Sequence, residues 1–366
     1  MPGISFFVRK ILFVKNLLPY LLLFLLLGGS VAALRWHNSK RTMATLYAER
    51  DFKIADVRQI GKIFLAHRDG EQTLLERQGT SWTFNRRWKA RPDAVENLLD
   101  ALGRLQVQYK PSEAAVPEMV RSLATEGIKV EVYDRRERLL KAYYIGGSSV
   151  DERGVFAIRE DAGQPYVAHL DGWEGNPRFR YSLKGDDWRD RSIFSENPAQ
   201  ITAVSIEYPT QRNQSFRLVR QNGKSEILPF FPITPQIQAP VSSSAVDRFL
   251  NTFESIVAED FRNAYPEKDS VMNTIPFAIV SVKNIAGKTA VAKLYPIFAG
   301  QAASDAKTGW TPEGPEMLER YFVATGEGDF MLAQHRVVKK MLWGYPFFFE
   351  ANVKNNLAQY GNKSAF

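Results

Sequence analysis

The chain contains no cysteine. That excludes disulfides, thiolate metal sites and cysteine nucleophiles. It also suits an oxidising compartment, where stray thiols are a liability. Histidine is scarce, with four in all: His37, His67, His169 and His335. No two stand in an H-x-x-x-H or H-E-x-x-H spacing, so a metal site would need donors gathered from distant positions. The phosphate-binding pattern G-x-x-x-x-G-K-[ST] is missing, and so is the G-x-S-x-G nucleophile elbow. Acidic residues are absent from residues 1–41, which carry Arg9, Lys10, Lys15, Arg35, Lys40 and Arg41. The formal charge of +8 comes largely from that stretch: without its six cations, 42 basic residues face 40 acidic ones. A nucleic-acid-binding protein should carry its basic patch on the folded body, so no nucleic-acid partner is expected.

What is present begins with an uncharged run, LLPYLLLFLLLGGSVAAL, over Leu17–Leu34. As a helix its 18 residues would extend about 27 Å, close to the ~30 Å hydrocarbon core of a bilayer. Pro19 would sit in the first turn, where proline is tolerated, and Trp36 at interface depth. A cleaved signal peptide shares the basic flank and the small-residue end. The apolar run exceeds the usual ~7–15 residues of such a peptide, which favours an uncleaved anchor. Cations lie on both sides of the run, so charge counting does not orient it. We expect a bacterial inner-membrane, single-pass protein with a cytoplasmic N-terminus and an extracytoplasmic body.

The body repeats itself. Ile60, Ile63 and Leu65 recur as Ile201, Val204 and Ile206, offset by 141. Leu75 and Arg77 recur as Leu218 and Arg220, offset by 143. Ala94, Val95, Leu98, Leu99, Leu102 and Leu105 form one face of a predicted helix. They recur as Ala245, Val246, Phe249, Leu250, Phe253 and Ile256, all offset by 151. The offset grows where the second copy inserts PFFPITPQIQAP (Pro229–Pro240). Later segments match more loosely: IKVEVYD and LLKAYYIGG with FAIVSVKN and TAVAKLYPI, then GVFAIRE and PYVAHL with RYFVAT and DFMLAQH. Strands and helices segregate within each copy, which points to two tandem, internally repeated α+β domains with mainly antiparallel sheets. The expected organisation is a basic segment (1–16), a transmembrane helix (17–34) and a juxtamembrane linker (35–55). A first repeat (56–182), a junction (183–200), a second repeat (201–350) and a tail (351–366) follow.

The junction reads LKGDDWRDRSIF over Leu183–Phe194. The order of elements, the paired copies and WRDRSIF resemble the domain-of-unknown-function family 4340 over about residues 50–350. That resemblance implies a membrane-anchored bacterial envelope protein. Some members are encoded beside, or joined to, components resembling gliding-motility ABC transporters. The family has no established catalytic residues, so none is carried over. With one apparent span and no phosphate loop, this chain would leave the permease and ATPase to other chains.

Candidate chemistry is thin. Ser148, Ser149 and Asp151 follow two glycines and could form an anion nest, but a plain loop explains them as well. Asp186 or Asp187 is expected to cap a short helix containing Trp188. Arg77 and Arg220 read as outward-facing strand residues. The surviving matches are mainly apolar positions and turn glycines, which specify a fold. We therefore assign no catalytic residue, cofactor or metal. Candidate partner contacts are Phe230, Phe231, Ile233 and Ile237 in the proline-punctuated loop, and Trp343, Tyr345 and Phe347 in MLWGYPFFF. The expected function is a non-catalytic binding or scaffolding subunit of an envelope assembly, accessory to an ABC-type transporter. Its partners would be the bilayer, through Leu17–Leu34, and other envelope or transporter membrane proteins. The alternative is an anchored envelope hydrolase or ligand-binding enzyme with its site between the repeats.

Overall fold

A computed structural model describes residues 48–221, 223–298 and 318–350. The predicted span, Leu17–Leu34, and the tail lie outside the described residues. Among the described residues, no helix is long and apolar enough to cross a membrane. The chain divides between Arg189 and Asp190 into two units, each with its own sheet and core.

Alternation of apolar and polar side chains builds the first unit. Strand β6 (Ile128–Asp134) turns Ile128, Val130 and Val132 inward and the residues between them outward. Around it run β1 (Ile60–Ala66), β2 (Gln72–Gln78), β3 (Ser81–Phe84), β4 (Trp88–Lys89), β5 (Leu105–Tyr109), β7 (Leu139–Ser148), β8 (Val155–Arg159) and β9 (Tyr166–Leu170). They form one antiparallel sheet in the order β4-β3-β2-β1-β6-β7-β8-β9-β5. Helix α1 (Pro92–Arg104) starts at a proline, followed by Asp93 in the first turn where the helix dipole favours an anion. It buries Ala94, Val95, Leu98, Ala101 and Leu102 in the sheet's main core. Helix α2 (Val116–Glu126) lies over β7 and β8 on the opposite face, with Met119 and Leu123 buried.

The second unit contains a two-stranded pair, β10 (Ser192–Phe194) with β14 (Ile256–Val257). Its main sheet comprises β11 (Ile201–Glu207), β12 (Phe216–Gln221), β13 (Lys224–Pro229), β15 (Asp260–Phe261), β16 (Ala278–Asn284), β17 (Thr289–Phe298), β18 (Leu318–Thr325) and β19 (Phe330–Gln334). The order is β13-β12-β11-β16-β17-β18-β19-β15. Set beside the first sheet, this is the same order from β3 to β5, without a counterpart of β4. The registers agree as well. Ile63 pairs with Val132 and Leu65 with Val130; Val204 pairs with Val282 and Ile206 with Val280. Helix α3 (Ser243–Asn251) buries Ala245, Val246, Phe249 and Leu250, as α1 buries its own stripe.

Three expectations change. Leu105 and Ile256 were placed on helix faces by spacing, but both are buried in strands. The helices stop earlier because Leu105 opens the edge strand β5 beside β9, and Ile256 pairs with Phe194 in the separate two-stranded sheet. Helix α2 was not expected. VPEMVRSLATE has a proline start and a Met119/Leu123 stripe, but it is short and joins β5 to β6 where the repeat pattern is weakest. Gly185–Arg189 belongs to the first unit's closing segment, not to a neutral junction.

Candidate functional site

Strand pairing lets each polar feature be compared with its counterpart. Asp56 caps the 3-10 turn Val57–Gln59 by accepting from the Arg58 N–H. Asn197 caps Pro198–Gln200 by accepting from the Ala199 N–H. Arg77 then donates to the Ile60 carbonyl at 2.9 Å, and Arg220 to the Pro198 carbonyl at 2.8 Å. Both guanidiniums also reach a second carbonyl, of Val57 and of Ile201, at 3.5 Å. The repeated arginine therefore points back onto the turn that starts each sheet. This corrects its reading as a plain outward-facing residue.

A second shared device closes each unit. The 3-10 turn Gly185–Trp188 delivers Trp188 into the first core, fully buried, and Tyr345–Phe348 delivers Phe348 into the second. Arg91 N–H donates to the Trp188 carbonyl and Ser242 N–H to the Phe348 carbonyl, both at 2.8 Å. Each contact lies just before α1 or α3, beside the bridges Ala90–Arg189 and Val241–Phe349. Neither Asp186 nor Asp187 caps the first turn. Asp186 instead accepts from Arg189 at 3.1 Å, because Lys184 occupies the capping position.

That closure locates the predicted contact residues. Tyr345 is buried. Its hydroxyl accepts from the Ile237 N–H at 3.1 Å, which ties the proline loop to the aromatic segment. Trp343 is half-buried, with its ring 5.5 Å from Phe249 and 5.4 Å from Phe348. Phe347 is half-buried, and Ile237 packs at the edge of the core. The exposed part of the set is the loop's other end. Ile233 is 80% exposed. Phe230 and Phe231 stack edge-on at 5.0 Å, with Arg217 over the first ring and Arg212 over the second. The structure thus joins the two stretches and leaves Ile233 exposed, with Phe230 and Phe231 half-buried beneath Arg217 and Arg212. Trp188 and Phe348 lie 160 residues apart and differ in type, so the repeat pattern of the sequence does not mark them.

Ser149, buried, donates to Asp151 and accepts from the Gly154 N–H at 2.8 Å, so the glycine-rich stretch is a closed turn. His169 Nε2 lies 3.4 Å from Gln106 Nε2. Burial pushes His67 below its ordinary range, with Lys184 adding to the effect; burial, aided by Lys339, does the same to His335. Among the described residues, no group of three or more His, Cys, Asp or Glu is placed to hold a metal ion. An open depression of about 550 Å³ in the first unit is lined in part by Asp56, Arg58, Glu96, Asp100 and Arg104. Two of its carboxylates are paired: Asp56 with Arg58 at 2.9 Å, and Asp100 with Arg104 at 3.2 Å and also with Arg180. Burial pushes Asp100 up, but its arginine hydrogen bonds outweigh that and hold it below the usual carboxylate range.

No curated protein and no solved structure matches this chain. One family profile does, over residues 81–273, more than half of the sequence. That match runs from β3 of the first unit to the short helix before β16 of the second, so it spans parts of both sheets. The chain belongs to the family described as domain of unknown function (DUF4340).

Proposed function

We propose that the protein is a non-catalytic binding or scaffolding subunit of a bacterial envelope assembly, held in the inner membrane by Leu17–Leu34 with its body outside the cytoplasm. On this reading the two units descend from one copied ancestral unit, and the partners are other membrane proteins, including an ABC-type transporter. What supports it is how the shared positions are used. The matched residues go to cores, caps and closures, whereas exposed Ile233 and half-buried Phe230 and Phe231 stand on an insertion that only the second unit has. Prolines on either side of Ile233 stiffen that loop and lower the entropy cost of docking. An anchor adds local concentration for partners in the same membrane.

The test is co-purification after gentle solubilisation, comparing wild type with Ile233→Asp and Phe231→Ser. The reading predicts a stable set of membrane partners that both substitutions deplete. Recovery of the protein alone after crosslinking would overturn it. Protease added to intact spheroplasts should digest the body, and complete protection would reverse the assigned orientation.

A further inference from the structure

One end of the first sheet carries an arginine pair in its turn that the matching turn of the second sheet lacks. The turn from β6 to β7 reads Arg135-Arg136-Glu137-Arg138, all exposed. Arg135 reaches back to the Arg58 carbonyl, at 3.2 Å from one guanidinium nitrogen, and so joins the turn to the start of β1. Arg77 stands close enough for Arg135 to help lower its pKa, after burial. Three carboxylates are nearby, and each has its own cation: Asp56 with Arg58, Asp134 with Arg138, and Glu137 with Lys62. Arg77, Arg135 and Arg136 keep their charge without a carboxylate partner among the described residues.

The second unit supplies an internal control. Strand pairing places Ala199 opposite Arg58, Ala203 opposite Lys62, and Ile285 and Ala286 opposite Arg135 and Arg136. Ile285 is 74% exposed at that tip. Arg77 has a cationic counterpart in Arg220, and Arg138 has one in Lys288, which is paired with Glu327. The cations left without either a carboxylate partner among the described residues or a cationic counterpart in the second unit are therefore Arg135 and Arg136.

We propose that this basic end of the first unit rests on anionic phospholipid headgroups. Asp56–Gln59 leads into β1 at that end, after Asp51 has met Lys141 at the start of β7 and Phe52 and Ile54 have entered the core. Ala48, the first described residue, is 14 positions beyond Leu34, and Phe52 and Ile54 are already buried in the first core, which allows a reach of up to about 50 Å from the membrane span. The proposal rests on the anchor reading for its tether. The tether raises the effective concentration of the lipid surface, so a modest electrostatic contact suffices. Each arginine at such a surface changes the bound-to-free ratio about fivefold.

Absence of cysteine makes the test direct. A single cysteine at exposed Leu139, beside the turn, carries a fluorophore; Thr289→Cys is the matched control in the second unit. The full chain is reconstituted into phosphatidylcholine vesicles, with or without phosphatidylglycerol, each containing a headgroup quencher. Quenching at position 139 should rise with phosphatidylglycerol and fall as salt is raised from ~0.1 M to ~1 M, which shortens the screening length from ~10 to ~3 Å. Arg136→Gln should lower the bound-to-free ratio about fivefold, and Arg136→Glu further. The folding risk is small because the interactions described here for Arg136 use its backbone N–H, not its side chain. Equal quenching in both vesicle types, or phosphatidylglycerol-dependent quenching that survives Arg136→Glu, would overturn the proposal. So would a label shielded in native membranes but indifferent to either vesicle, which would assign the patch to an acidic protein. Flotation with pure phosphatidylcholine vesicles reports the anchor separately. A chain that fails to float there yet binds phosphatidylglycerol through Arg136 would remove the anchor and keep the patch.

Discussion

Where the first unit has Gly146, strand pairing puts Tyr295 in the second: Ile128 faces Ile145, and Ala278 faces Leu294, one residue earlier in each case. A β-carbon on Gly146 would lie 3.1 Å from Leu123 of α2. The glycine lets an eleven-residue helix lie close against the sheet's second face. In the second unit Tyr295 fills that space itself, within a small cluster that includes Val271, Phe322, Phe330 and Leu332. The helix there shortens to five residues, Lys268–Met272. One sheet thus accepts two coverings. Backbone order and register are common to both units, while the bulk of one strand residue goes with the length of the element above it.

The comparison can be broken most forcefully at the shared closure. Trp188→Ala should cost the first unit about 3–5 kcal/mol, and Phe348→Ala should cost the second a similar amount, because each leaves a buried cavity of aromatic size. Hydrogen exchange resolved by unit checks that each loss stays mainly in its own unit. Gly146→Val comes next, at about 1–3 kcal/mol from overpacking, with raised exchange concentrated in α2. Arg77→Ala and Arg220→Ala should each cost about 1–2 kcal/mol, near-equally, since each removes a charged donor from the same strand-initiating turn. Denaturant titration of the paired variants measures that equality. A large cost at one arginine and none at the other would mean that the devices are not equivalent.

The smallest effect is a pH response confined to one unit. The β6–β7 turn is held by Asp134, whose counterpart in the β16–β17 turn is Asn284. Hydrogen bonds from the Arg138 and Arg136 backbone and the Arg138 side chain outweigh burial and hold Asp134 below the ordinary carboxylate range. Asp56 is likewise lowered, chiefly by the Arg58 side chain. A depressed folded-state pKa adds stability above the unfolded value of about 4, and that stability is lost as pH falls through the folded value. Exchange in the 134–138 turn should therefore rise below about pH 4 while the 284–288 turn, held by an amide, stays unchanged. Asp134→Asn should abolish the difference.

Much of this sheet was legible in the sequence because inward residues alternate. Ile60, Ile63, Leu65 and their counterparts carry register directly. The α1 stripe was legible for the same reason at helical period. Its end was not, since Leu105 continues the apolar spacing while the chain turns into β5. The closing aromatics were harder. Trp188 and Phe348 share a place but not a residue type, and the short turns presenting them have no periodicity. Arg77 and Arg220 were visible as a match, yet their partners are backbone carbonyls, which leave no mark in side-chain pattern. The contact surface was half legible. Composition found both aromatic stretches, but only the fold separates buried Tyr345 from exposed Ile233.

Cross-strand NMR contacts in each half, read for strand order and register, test the central claim most directly. The account predicts Val130–Leu65 and Val280–Ile206 pairs at equivalent places, with Trp188 and Phe348 occupying the same position beneath α1 and α3. Sheets of different strand order, or a Trp188 outside the first core, would contradict it.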